Sequence, residues 1–328
     1  MTPSQAAKAV HHLIDKQRPA FLWGAPGVGK SDLVRQIGQA RGTEVRDIRL
    51  SLLDPTDIKG FPVPDVKKSI MRWLPADFVP TGGEGILFFD ELNSAAPAVQ
   101  AAGYQFILDR KIGDAVLPEG WSIVAAGNRT TDRAVTHAMP SPLANRFVHV
   151  DVEPDINDWY DWAMAHGISA ETCAFLRFKP GLLHDFDPKT NPRSFPTPRT
   201  WVFVDEIRGS GLDSDTEFAL IAGAVGEGAA TEYLAFVRLA ASLPSVDEIL
   251  LNPEIIEIDK DKPEVMYALV AAVSQQTTIN NFERLTKFVF RLPPEYQMLY
   301  IRRAGLVKGI SKTKTFTQWG AKNSALLK

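Results

Sequence analysis

Gly24-Ala25-Pro26-Gly27-Val28-Gly29-Lys30-Ser31 is the stretch on which the fold turns. It follows the apolar run Ala20-Phe21-Leu22-Trp23 and precedes a helical spacing of Leu33, Val34 and Ile37. A strand here would deliver the chain, the glycines would let successive backbone N–H groups turn toward an anion, and the next helix would aim its positive N-terminus at the same point. The spacing fits a phosphate-binding loop, with Lys30 on the β- and γ-phosphates and Ser31 on Mg²⁺. A glycine-rich turn opening an ordinary helix is the alternative, and the strand before it and the helix after it weigh against that.

Outward from the loop, the next landmark is Gly85-Ile86-Leu87-Phe88-Phe89 followed by Asp90-Glu91. Four apolar residues in a row suit a strand buried on both faces, and the two carboxylates fall where such a strand leaves the sheet. That edge is where α/β folds bind ligands. Asp90 is placed to hold Mg²⁺ and Glu91 to polarise the attacking water; an acidic turn is the plain alternative. Trp121 to Ala126 reads as a further strand ending at Gly127-Asn128, and Asn128 could orient the same water or serve only as a turn residue. Val45, Ile48 and Leu50 suggest a second strand, and Phe147 to Val152 a fifth. The pattern predicts an α/β fold with a parallel five-stranded sheet.

Two connections carry irregular insertions. Residues 54–80 read as a long loop with a hairpin, and 111–120 as a second hairpin. Phe61 and Trp73 in the first could touch something or pack under their own loop. Between them a helix is expected from Pro97 to about Arg110. Ser141-Pro142-Leu143-Ala144-Asn145-Arg146-Phe147 precedes the last strand, and Arg146 there could do no more than complement a helix dipole. From Pro154 the spacing turns helical, with Ser214 and Glu217 read as a capping box. A proline-rich connection, Pro180 to Pro198, interrupts it. From Arg302 onward there are seven Lys/Arg and no acidic residue, which reads first as a solvated tail and second as a docking arm for an acidic partner or nucleic acid.

Composition sets outer limits. The 328 residues exceed one compact core, and 45% hydrophobic with 23% charged residues is ordinary for a globular protein. A net charge of −3 argues against a protein built mainly to hold nucleic acid. The single Cys173 permits no internal disulfide, and His11, His12, Asp15 and Lys16 interrupt any signal-peptide core. No run suits a membrane span. A cytoplasmic location is the expectation.

The motifs in order, the phosphate loop, ILFFDE, AAGN and LANRF, resemble the AAA+ ATPases. LLDPTDIKG, DELNSAAPAVQ and DRKIGDAVLPEG resemble the MoxR branch of that family, over roughly residues 20–205. The resemblance implies a P-loop NTPase core over 1–153, a helical lid over 154–244 and a helical extension over 245–328. It implies that Gly24, Ala25, Pro26, Gly27, Val28, Gly29, Lys30 and Ser31 form Walker A, that Asp90 and Glu91 form Walker B, and that Asn128 is sensor 1. Arg146 would be an arginine finger reaching the neighbouring subunit's ATP. Arg199, within Thr197-Pro198-Arg199-Thr200-Trp201, would be sensor 2. By the same resemblance the chain assembles as a hexamer and remodels a client or adaptor with a von Willebrand factor A domain. Arg129, where the branch commonly has a proline after its asparagine, and Ser94, where a basic residue is frequent, depart from its pattern. The other classes weighed are a nucleic-acid motor or clamp-loader-like ATPase and a monomeric nucleotide switch or kinase.

Overall fold

In a computed structural model of the chain, residues 1–112, 115–132, 136–187 and 193–323 are described. They fall into two units, Met1–Asp155 and Ile156–Lys328.

Among its described residues the first unit has nine strands and five α-helices: α1 (Pro3–Asp15), β1 (Ala20–Trp23), α2 (Lys30–Arg41), β2 (Glu44–Arg49), α3 (Pro55–Lys59), β3 (Phe61–Asp65), β4 (Ile70–Leu74), β5 (Gly85–Asp90), α4 (Pro97–Asp109), β6 (Lys111–Ile112), β7 (Ala115–Val116), β8 (Trp121–Gly127), α5 (Ser141–Ala144) and β9 (Val148–Asp151). Five of the strands form one sheet in the order β2-β5-β8-β1-β9, and every pairing in it is parallel. The expected α/β class and sheet are therefore present.

The period-2 alternation of a strand explains the two layers that cover this sheet. Leu22, Phe88, Val124 and Val150 pack with Val10 and Ile14 of α1 and Val34 and Ile37 of α2. Their neighbours Phe21, Leu87, Phe89, Ile123 and Ala125 point the other way, against Val99, Ala102 and Phe106 of α4. Every residue of β5 and β8 is buried, because each has a strand on both sides and helices on both faces. The edge strands β2 and β9 carry only one buried residue each. Both insertions are hairpins: β3 pairs antiparallel with β4, and β6 with β7. Residues 113 and 114 of the second lie outside the described residues. On the first, Phe61 and Trp73 are exposed, so neither packs under its own loop.

The second unit is helical: α6 (Ile156–Ala165), α7 (Ala170–Phe178), α8 (Pro198–Arg208), α9 (Ser214–Val225), α10 (Glu227–Ala241), α11 (Val246–Leu251), α12 (Pro263–Gln275), α13 (Phe282–Val289), α14 (Pro294–Ala304) and α15 (Lys314–Lys322). One hydrophobic core runs from Trp159 through Trp201, Tyr233 and Leu269 to Tyr300 and Trp319, so 245–328 is not set apart from 154–244 by a core of its own. The interior polar cluster is fully bonded at its centre: the Asp205 carboxylate accepts from Ser169 N–H, Ser169 Oγ and Thr172 Oγ1, and Thr172 meets Tyr233 Oη at 3.0 Å. Burial pushes the Cys173 thiol up to about 11.

Two expectations are corrected. The basic stretch from Arg302 is folded as far as residue 323: Arg303 donates to the Ile168 carbonyl at 2.7 Å, Arg302 pairs with Asp161, and Ile310 and Trp319 are buried. Apolar anchors spaced between the lysines outweigh the charge. The cap of α9 is Asp213, whose carboxylate accepts from Thr216 N–H at 3.0 Å; an aspartate one position earlier displaces Ser214 from that role. Residues 188–192 of the proline-rich connection and 324–328 of the basic stretch lie outside the described residues.

Candidate active site

The site forms at the carboxyl ends of β1, β8 and β5, which are adjacent in the sheet. Beyond β1 the chain makes the phosphate loop with Gly27 at φ +79° and Gly29 at φ +93°. Both angles are left-handed, a region that glycine enters at little cost. The turn puts Lys30 at the first residue of α2, so that helix N-terminus and loop amides face one point. Lys30 Nζ donates to the Gly24 carbonyl at 2.6 Å, the Ala25 carbonyl at 3.1 Å and Asn128 Oδ1 at 3.0 Å. Loop lysine and candidate sensor, 98 residues apart in sequence, are thus in direct contact.

Ser31 Oγ donates to Asp90 Oδ2 at 2.5 Å. A hydroxyl and a carboxylate, 7% exposed in the case of Asp90, are the hard oxygen donors that suit Mg²⁺, which keeps several waters and takes its remaining ligands from phosphate. The next residue, Glu91, sits at φ +55°, a left-handed angle that costs a non-glycine residue about 1–2 kcal/mol. Such strain persists where the surroundings over-determine it, as functional sites do. Its carboxylate accepts from Ser51 Oγ at 2.5 Å, from the turn that follows β2.

Asn128 follows the last residue of β8. Its backbone is held by the side chain of Asn93: Asn93 Nδ2 donates to the Asn128 carbonyl at 2.7 Å, and Asn128 N–H donates to Asn93 Oδ1 at 3.2 Å. Arg129 pairs with Glu153 at 2.5 Å and Asp151 at 3.4 Å, at the carboxyl end of β9. Partial burial works against its charge, but the hydrogen bond and charge of Glu153, with Asp151 and Asp132, outweigh it and raise the guanidinium above its ordinary range. This position therefore forms an ion pair between the ends of β8 and β9.

The structure brings Lys30, Ser31, Asp90 and Asn128 into two bonded pairs, with Glu91 directly after Asp90. Arg146 stands apart, exposed between α5 and β9, and forms no ion pair among the described residues. Arg199 is the second residue of α8 in the helical unit, behind a Thr197 cap whose hydroxyl accepts from Thr200 N–H at 3.1 Å. Sequence reasoning missed Ser51 and Asn93. Ser51 was findable only from strand order, since β2 must neighbour β5 for it to reach Glu91. Asn93 had one signal, an amide two residues beyond the carboxylates in a short turn between β5 and α4.

A glycine-rich loop on a helix N-terminus, facing a carboxylate pair across one intervening strand, defines the nucleotide site of a P-loop NTPase. Residues 19–147, which lie within the first unit, match the family model of the AAA domain, dynein-related subfamily, a match that supports an AAA+ ATPase. Midasin from Giardia intestinalis is 29% identical over 160 residues, 46% of this chain and 3% of midasin, so the chain spans a small fraction of that relative's length. Among solved structures, the RuvB Holliday junction branch migration motor of Thermotoga maritima is 18% identical with a TM-score of 0.42, over 88% of this chain and 87% of that one. NtrX of Brucella abortus in complex with ADP is 14% identical with a TM-score of 0.43, over 92% of this chain and 68% of that one. No helix among the described residues is long and apolar enough to cross a membrane.

Proposed function

We propose that this chain is a MoxR-like AAA+ ATPase that hydrolyses ATP in a hexameric ring and uses the turnover to remodel a partner protein. The observation that carries the reading is the gathering of Lys30, the Ser31–Asp90 pair, Glu91 and Asn128 at the ends of three adjacent parallel strands. The loop amides and Lys30 bind the β- and γ-phosphates, for which Lys30 exchanges the Gly24 and Ala25 carbonyls. Ser31 and Asp90 hold Mg²⁺, which when bound neutralises charge on the phosphate oxygens. Glu91 takes the proton of the attacking water and Asn128 orients that water.

Arg146, exposed and without an ion pair among the described residues, supplies positive charge to the neighbour's γ-phosphate, and Arg199 acts from the lid of the same subunit. The hairpin 61–74, with Phe61, Ile70, Met71 and Leu74 all exposed, is the element offered to a client or adaptor, by family analogy one bearing a von Willebrand factor A domain. The nucleic-acid reading drew on the basic run from Arg302. With Arg302 and Arg303 bonded within the helical unit, remodelling of a protein is preferred.

Glu91→Gln tests the reading. The amide keeps the shape and an acceptor for Ser51 Oγ but cannot take a proton, so nucleotide binding should persist while turnover falls by about 10²–10⁴. Turnover that survives the change overturns it. The same variant, locked with ATP, is the bait for isolating the client.

A further inference from the structure

We propose that Asn93 is the positioning residue for Asn128, a two-pronged clamp that fixes sensor and catalytic glutamate as one rigid body. The inference deepens the ATPase reading and rests on it. Asn93 is buried, with 2% exposure, and commits both polar ends of its side chain to the backbone of a single residue. The place of that residue explains why. β8 pairs with β1 as far as Gly127, opposite Trp23, and there the ladder ends. One residue further, the N–H and C=O of Asn128 have lost their strand partners, and the Asn93 amide offers one acceptor and one donor in their stead. Without it the peptide carrying the sensor side chain would be free to rotate.

The clamp is itself held from behind. The Asn93 carbonyl accepts from His137 N–H at 2.7 Å and from Gln100 Nε2 at 3.5 Å. Gln100, also buried, donates to the Ala95 carbonyl at 2.9 Å and accepts from Tyr104 Oη at 2.6 Å. A chain of bonds thus runs from Tyr104 on α4 through Gln100 and Asn93 to Asn128, and from its Oδ1 to Lys30 Nζ. Gly127 leaves the necessary room: a Cβ there would lie 2.2 Å from Asn93 Oδ1. Asn93 stands two residues after Glu91, in the turn that follows β5. One short turn therefore carries the base and grips the amide, so that the two groups handling the water keep a fixed separation, which is what proximity catalysis requires.

The test compares Asn93→Asp, Asn128→Ala and the double variant in the full chain, reading kcat for ATP and the Kd of a fluorescent ATP analogue. Aspartate is isosteric and keeps an acceptor for Asn128 N–H, but sets a second oxygen against the Asn128 carbonyl. We expect kcat to fall about 10–100-fold, the size seen when an orienting partner of a reacting group is removed, with Kd unchanged. In the Asn128→Ala background the Asn93 change should add little, because its target is gone. Full kcat in Asn93→Asp, or losses that multiply independently of Asn128, overturns the proposal. Should the Asn93 variants be insoluble, Gln100→Met, close in volume and lacking the anchoring amide, must show the same fall in kcat at constant Kd, and full kcat overturns the proposal equally. Turnover lost in Glu91→Gln but kept in Asn93→Asp defeats the clamp alone, whereas a wild-type chain without turnover defeats the ATPase reading and the clamp with it.

Discussion

Gly127→Ala should damage the site by adding a single methyl group. The added Cβ would stand 2.2 Å from Asn93 Oδ1 and 2.8 Å from Phe21 Cζ, both well inside contact distance. Phe21 cannot yield. It is fully buried in a strand paired on both sides, edge-on to Phe147 at 5.4 Å. Asn93 must therefore swing away and give up both bonds to Asn128. Leaving those groups unpaired costs about 1–3 kcal/mol, and forcing a methyl into a filled space a similar amount, so about 3 kcal/mol is expected in all. In a unit of this size that lowers the melting temperature by about 6–12 °C. Scanning calorimetry of the full chain reads it, the transition of the nucleotide-binding unit being identified by its upward shift with ATP. Turnover should fall in the same variant. A melting temperature at the wild-type value with undiminished kcat would refute the packing argument.

Two further outcomes are expected. Arg146→Ala should lose ATP turnover by about 10³–10⁵, and mixing it with a Glu91→Gln chain that retains Arg146 should restore part of the activity; no restoration at any mixing ratio tells against action on the neighbouring subunit. Trp319→Ala empties a buried indole that donates to Gln297 at 2.9 Å, which should cost about 3–5 kcal/mol locally and open Lys314 and Lys322 to trypsin, while the wild-type chain resists cleavage there. Equal cleavage of the two proteins would mean that α15 adds nothing to the helical core.

What the sequence revealed, it revealed through local signals. Glycine spacing with Lys30 and Ser31 marked the loop, the runs at 85–89 and 121–126 marked the two central strands, and the residues that end them were legible as Asp90, Glu91 and Asn128. Ser51 and Asn93 were not, because each depends on which strands are neighbours and on side-chain bonds that no periodicity records. The α9 cap was misread by one residue because aspartate and serine stand side by side and either can cap. Charge counting also misjudged the segment from Arg302, since a few buried side chains such as Ile310 and Trp319 decide whether a lysine-rich stretch folds, and net charge does not weigh them.

The strand order has a metric consequence. β8 lies between the strand that feeds Lys30 and the strand that ends at Asp90, so two inter-strand spacings, about 10 Å in all, separate those two strand ends. Side chains close that distance, Lys30 reaching Asn128 and Ser31 reaching Asp90, while the spacing of the strand ends beneath them is a length set by backbone hydrogen bonds and beyond the reach of any single side-chain substitution.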